Sequence, residues 1–264
     1  MSWLGFKLLA RHRRNPLVQR LAKLSRRVVL AHENFDYDAR TNGERFVMER
    51  LAHGDLRCVF DVGASLGGWS EAAISLFPSA QVHAFEIVPA TNARLTENFA
   101  EEPRVRVNAC GLMDKAGTVD VRWFPGASRL STVTHFPHSA ECQVVSAPVT
   151  TGDEYMREAG VTHIDFLKID VEGAEPFVLQ GFARALESGR IDVIQFEYGR
   201  VNILTKFLLL DFYNLLEAGG YRIGKIFPDH VAFKPYTLDQ EDFVGPNYLA
   251  VRGGLEDVIA RLAG

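Results

Sequence analysis

The side chains best suited to chemistry in this chain are carboxylates that stand where apolar runs give way to turns. Asp61-Val62-Gly63-Ala64-Ser65-Leu66-Gly67-Gly68 follows the apolar run Arg57–Val62 directly and precedes a helical stretch. Glycine in such a turn lets the backbone reverse tightly and come close to a ligand. The segment departs from the dinucleotide fingerprint G-x-G-x-x-G, because Asp61 occupies the first glycine position. A carboxylate beside the turn disfavours pyrophosphate, which seeks the positive end of a helix, and favours an ammonium group. Further along, Glu86 ends the run Gln81–Phe85, and a carboxylate there can accept the two hydroxyls of an adenosine ribose. S-adenosylmethionine carries an ammonium and a sulfonium and no phosphate, so it suits this pair of acids better than a nicotinamide dinucleotide.

A third group is Phe166-Leu167-Lys168-Ile169-Asp170-Val171-Glu172-Gly173-Ala174-Glu175. Four charged side chains crowd the end of an apolar run, and strand alternation puts Lys168 and Asp170 on one side. Asp170 is the first choice for a general base, with a hold on the cofactor's methionyl end as its other role. Glu172 and Glu197 are the further candidates. Asp170, Glu172 and Glu197 together offer the oxygens a Mg²⁺ ion would need, if the fold makes them converge. Glu175 reads as a carboxylate decorating a helix N-terminus. Adenine is expected near Gly111, Leu112 and Met113. His135 and His138, in a long loop, read as solvated, and His83, within an apolar strand, as a core histidine.

The elements that must position these residues alternate. Helix Glu44–Leu51, strand Arg57–Val62, helix Trp69–Phe77, strand Gln81–Phe85, helix Ala90–Phe99 and strand Val105–Ala109 form a βαβ rhythm, which implies a parallel sheet covered by helices. Thr118–Trp123 and Gln143–Val149 interrupt it as an antiparallel pair around the loop Pro125–Glu141. The rhythm resumes with strand Ile164–Ile169, helix Ala174–Leu186, strand Ile191–Phe196 and helix Leu208–Ala218. Tyr221–Phe227, Val231–Lys234 and Tyr248–Val251 complete the sheet. The chain has 264 residues, 47% of them hydrophobic and 23% charged, enough for one sizeable core. Three scattered cysteines, Cys58, Cys110 and Cys142, have neither metal-ligand spacing nor the number for a disulfide framework. A cytoplasmic location is expected.

Charge is distributed unevenly. Residues 1–30 carry eight Lys and Arg and no acid; the whole chain is at −4, so the remainder stands at −12. Bulk electrostatics therefore argue against nucleic acid as a partner. Within the basic segment Leu17, Leu21, Leu24 and Val28 recur at helical spacing, and Pro16 separates two helices. Such a segment either packs on protein, including a second subunit, or lies on an anionic membrane or glycan, peripheral to the inner membrane face. The organisation expected is a helical appendage over 1–41 and one domain over 42–264.

The stretches VFDVGASLGGWS, HAFEIVP, VTTGDEYM, IDFLKIDVEGAE and IQFEYG, in this order, closely resemble FkbM-type S-adenosylmethionine-dependent methyltransferases. The resemblance runs from about Asn42 to Gly199 and is most specific at Lys168–Glu175. It implies a class I methyltransferase α/β fold, Rossmann-like, with a seven-stranded, mostly parallel sheet whose last strand is antiparallel. It also implies O-methylation of a sugar, glycan or natural-product hydroxyl. Asp61, Gly63, Ala64, Ser65 and Gly67 then match the cofactor loop, with Trp69 and Ser70 following it. Glu86 matches the ribose carboxylate and Asp170 the residue after the fourth strand; Ile87 beside Glu86, and Gly111 and Leu112 at the expected adenine turn, are counted with the cofactor site. Asn42-Gly43-Glu44 matches a motif that packs over the cofactor. Ser65 replaces a common Asn, and Gly152-Asp153 a usual Leu-Asp, a change expected to weaken local packing. Two other readings are a non-catalytic assembly protein built on a cofactor fold and an NAD-dependent oxidoreductase.

Overall fold

The computed structural model describes residues 3–126, 131–134 and 141–264, apart from the side chains of Trp3 and Leu4. The chain begins with helices α1 (Trp3–Arg11) and α2 (Pro16–His32); Asn15 caps α2 by accepting the backbone N–H of Leu17, and Pro16 supplies its first turn. Helix α3 (Glu44–Leu51) leads into β1 (Cys58–Val62), α4 (Gly68–Leu76), β2 (Gln81–Phe85), α5 (Pro89–Asn98) and β3 (Val105–Asn108). These follow the expected rhythm to within a residue or two.

A small separate sheet follows. It joins β4 (Gly111–Leu112), β5 (Gly117–Trp123) and β6 (Gln143–Thr150) in the order β4-β6-β5, with β5 and β6 antiparallel as their alternation implies. Then come α6 (Gly152–Ala159), β7 (Ile164–Ile169), α7 (Glu175–Gly181), α8 (Ala183–Glu187) and β8 (Ile191–Glu197). The single helix expected over 174–186 is in fact two. Phe182 breaks it because α8 begins afresh there, its first N–H groups at Arg184 and Ala185 donated to the Asp153 carboxylate. The chain closes with α9 (Asn202–Thr205), α10 (Leu209–Ala218), β9 (Tyr221–Ile226), β10 (Val231–Phe233), β11 (Asn247–Arg252) and α11 (Glu256–Ala263).

The main sheet has eight strands in the order β10-β9-β11-β8-β7-β1-β2-β3. Strands β3, β2, β1, β7 and β8 are mutually parallel, while β11 inserts antiparallel between β8 and β9. This is the doubly wound sheet with an antiparallel last strand that the sequence implies; the three-residue β10 adds an eighth strand at the edge. Strand alternation sends Phe60, Leu167 and Ile194 to one face, under α7, α8 and α10, and Val59, Phe166 and Val193 to the other, under α3, α4 and α11.

Gly152 has a packing reason that opposes the expected weakness. A Cβ at that position would occupy the space of the Phe182 ring, so the aromatic side chain fills the place a leucine would take. His83 is buried and shares a hydrogen bond of 2.7 Å with the Tyr155 hydroxyl, with burial and nearby Arg106 driving its pKa down to about 4.

Candidate active site

Because β1, β2, β7 and β8 run parallel, their carboxyl ends share one edge, where open α/β sheets leave a crevice. A solvent-open cleft of about 620 Å³ lies there. Gly63 makes it possible: its φ is +86°, and a Cβ would collide with the Asp170 carbonyl, so the turns after β1 and β7 pass in contact. Ser65 sits in the left-handed region at φ +51°, a conformation that asparagine tolerates better than serine.

Glu86 forms the floor. Its Oε2 accepts the Ser65 N–H at 2.9 Å and its Oε1 accepts the Val88 N–H at 2.8 Å. Burial raises its pKa, and those two N–H groups oppose the rise. Each oxygen keeps a lone pair towards the cleft. Ile87, Gly111, Leu112 and Met113 supply an apolar wall, with Val121 and Val133 of the interrupting segment opposite. Asp170 and Glu172 form the other end. Of the cofactor residues expected from sequence, Gly63, Ser65, Glu86, Ile87, Gly111, Leu112 and Asp170 line the cleft.

Six others stand behind it. Asp61 was expected to face the ligand's ammonium; instead it is fully buried. Its Oδ2 accepts the Ser70 hydroxyl at 2.7 Å and its Oδ1 the Lys168 ammonium at 3.3 Å. Asp61, Lys168 and Gln195 are register neighbours across β1, β7 and β8, forming a polar row on the α3/α4 face. Glu44 joins that row rather than the cleft: its carboxylate accepts the side-chain amides of Asn42, Gln195 and Asn247 at 2.8–3.1 Å. Trp69 covers Lys168, whose Nζ lies 5.8 Å from the ring centroid. Ala64 is buried, and Gly67 provides the left-handed N-cap of α4, where a Cβ would meet Phe99.

Lys168 transmits the buried row to the site, since it also pairs with Asp170 at 3.2 Å. Burial works against its charge, yet the carboxylates of Asp170, Asp61 and Glu44 outweigh that and raise its pKa. The fold makes Asp170, Glu172 and Glu197 converge, with one oxygen of each within 4.8 Å of the others. Burial, then Asp170 and Glu175, pushes Glu172 up to about 8. Burial, then Asp170, Glu172 and Glu175, holds Glu197 well above the usual carboxylate range. Glu172 is itself held at φ +53°, an uncommon conformation for glutamate.

Glu175 is no surface decoration. It is fully buried, and its Oε1 accepts the N–H groups of Val171 and Gly173, so it clasps the turn that presents Glu172. The Thr132 hydroxyl donates to the Glu172 carbonyl at 2.6 Å and ties the interrupting segment to the same turn. His135 and His138 lie outside the described residues.

Sequence reasoning missed Tyr37. Its ring is largely exposed while its hydroxyl turns inward, near Gly199 and Gly245. Burial of that end, then Glu197 and Glu172, pushes it up to about 12. The only sequence signal was an aromatic residue in the polar turn segment before Asn42-Gly43-Glu44.

The chain is similar to several known methyltransferases. The chain is 30% identical over 145 residues to the 2-O-methyltransferase NoeI of Sinorhizobium fredii, a match covering 50% of this chain and 60% of that protein. It is 30% identical over 156 residues to the hexuronic acid methyltransferase AglP of Haloferax volcanii, covering 59% and 61%. It is also 30% identical over 162 residues to the 31-O-demethyl-FK506 methyltransferase FkbM of Streptomyces tacrolimicus, covering 50% and 60%. The match thus spans about 60% of the length of these relatives. Among solved structures, the methyltransferase FkbM of Methylobacillus flagellatus aligns with a TM-score of 0.48 and 20% identity, over 75% of this chain and 44% of that one. The family model described as methyltransferase FkbM domain matches residues 61–223, more than half of the chain. On that match, which takes in the Asp61 turn, Glu86 and the Asp170–Glu172–Glu197 cluster, the chain belongs to the FkbM methyltransferase domain family.

Proposed function

We propose that this protein is an S-adenosylmethionine-dependent O-methyltransferase acting on a hydroxyl of a sugar, a glycan or a glycosylated natural product. The observation that supports it most is the placement of Glu86 at one end of the cleft and the Asp170–Glu172–Glu197 cluster at the other. The cleft fits the cofactor on its own geometry: a backbone-braced carboxylate with free lone pairs for ribose hydroxyls, an apolar wall for a flat base, and an acidic end for an ammonium. When bound, S-adenosylmethionine supplies an activated methyl group on sulfur.

The chain's own residues do the rest. Glu86 holds the ribose. Asp170, oriented by Lys168, holds the methionyl ammonium, a positioning role that fits its ion pair better than that of base. Glu172 takes the acceptor's hydroxyl proton. Its raised pKa suits a general base near neutral pH, and Glu197 beside it disperses the proton within the cluster. Orientation of the hydroxyl towards the methyl contributes much of the rate, because the methyl needs no further activation. The sugar as acceptor rests on the name of AglP, a hexuronic acid methyltransferase, and transfer to oxygen on that of NoeI, a 2-O-methyltransferase.

Thermal shift and calorimetry with S-adenosylmethionine, S-adenosylhomocysteine, NAD and ATP provide the test. Stabilisation by the first two alone is expected; a shift with NAD alone would sink the proposal. A second reading, in which the three carboxylates hold a divalent cation, is favoured by their convergence and all-oxygen chemistry. Full methyl transfer after chelation and desalting would eliminate it.

A further inference from the structure

Helix α2 has no buried residue along its 17-residue length. Its exposed side chains are sorted by type. Leu17, Leu21, Leu24 and Val28 follow one another at helical spacing, with exposures of 51–71%, and Val29 flanks them. Arg20, Lys23, Arg26 and Arg27 occupy the adjoining arc, and none of them has an ion pair among the described residues. Phe6 and Leu8 of α1 are likewise exposed, at 64% and 61%. An apolar stripe of this length left in water is costly, and a stripe bordered by charge of one sign asks for a partner that is apolar within and anionic at its surface.

We infer that α1 and α2 dock in the plane of an anionic phospholipid bilayer, the leucines entering the acyl boundary and the arginines meeting the headgroups. Charge complementarity selects this occupant over a second copy of the chain. Self-pairing of α2 along its leucine stripe would place Arg20 and Arg27 at the flanks, where an antiparallel partner presents the same arginines and a parallel one presents Ser25 and His32, so neither arrangement supplies an acid. No helix of the described residues is long and apolar enough to cross a membrane, which suits an interfacial position. The docked segment is joined to the α/β domain. Immediately after α2, Asn34 donates to the carbonyls of Asn42 and Ile226, Glu33 pairs with Lys225 at 3.3 Å, and the Tyr37 hydroxyl lies near Gly199 and Gly245. The inference stands whether or not the cleft transfers methyl groups.

The test is co-sedimentation of the full chain with vesicles of phosphatidylcholine alone and with a third phosphatidylglycerol, alongside sedimentation velocity without vesicles. Binding to the anionic vesicles should exceed binding to the neutral ones by about tenfold or more, and should fall steeply with added salt. The double variant Leu21→Glu/Leu24→Glu should lose that binding, and Arg20→Glu/Lys23→Glu should lose most of it. Both alter only exposed positions, so their melting temperatures should match the parent. Equal binding to both vesicle types, or none, would overturn the inference. So would a dimer of the parent that Leu21→Glu/Leu24→Glu converts to monomer, because the stripe would then be covered by a second copy.

Discussion

Two carboxylates in one cleft are assigned different work, and single substitutions separate them. Glu86→Ala removes the acceptor for two ribose hydroxyls and leaves the Asp170–Glu172–Glu197 end intact. Cofactor affinity should fall by roughly 2–3 kcal/mol by calorimetry, while turnover at saturating cofactor falls much less. Glu172→Gln should do the reverse, lowering turnover about 10²–10⁴-fold with cofactor affinity nearly unchanged. If Asp170→Asn instead costs the rate and spares the affinity, the base and the anchor exchange places. The pH dependence has a definite sign. Glu172 must lose its proton to act, so the rate should climb with pH up to about 8 and then level off. Its raised pKa also means that the folded chain binds more protons than the unfolded one between about 4.5 and about 8. Stability of the free protein should therefore decline as pH rises through that window, and Glu172→Gln should flatten the decline in a series of thermal melts.

At the scale of elements, the polar row beneath the cleft determines whether the ends of β1 and β7 hold their places. Among the described residues Lys168 is the one cation paired with both Asp61 and Asp170, and Glu44 also favours its charge. Lys168→Met keeps the volume and strands two carboxylates, one of them fully buried, so a loss of about 3–5 kcal/mol is expected in urea unfolding. Parent-like stability of that variant would mean the row tolerates an uncompensated acid. Gly152→Leu introduces the residue that the family resemblance leads one to expect, but here it meets the Phe182 ring. It should destabilise by roughly 1–3 kcal/mol through overpacking, and pairing it with Phe182→Ala should recover part of the loss.

Over the whole molecule, the basic helices and the catalytic sheet are expected to be separable. Deleting residues 1–30 removes no buried side chain of α2 and keeps Glu33 and Asn34, which anchor the following segment. The truncated chain should retain its melting temperature and its cofactor affinity, both measurable in one thermal titration, where a hundredfold excess over Kd stabilises by about 2.7 kcal/mol. A large loss of either would show that α1 and α2 belong to the folding unit.

Much of this protein is legible in its sequence, because the relevant signals are local. Strand and helix periodicity, the turn Asp61–Gly67 and the charged terminus Lys168–Glu175 each lie within one window of chain, and a parallel array of such units has one face where its turns collect. The order β3-β2-β1-β7-β8 then brings Glu86 and Asp170 to one edge. Direction and depth of side chains were not legible. Asp61 and Glu44 carry the residue types of a ligand site, yet strand register for Asp61 and the packing of α3 on the sheet for Glu44 turn them into a buried network with Lys168, Gln195 and Asn247. Glu175 looks like a surface acid and is fully buried. The meeting of Glu172 with Glu197, and the field both exert on Tyr37 from the first part of the chain, depend on packing between segments that nothing local links. A carboxylate's type is written in the chain, but its burial, its neighbours and hence its proton affinity exist only once the sheet has assembled.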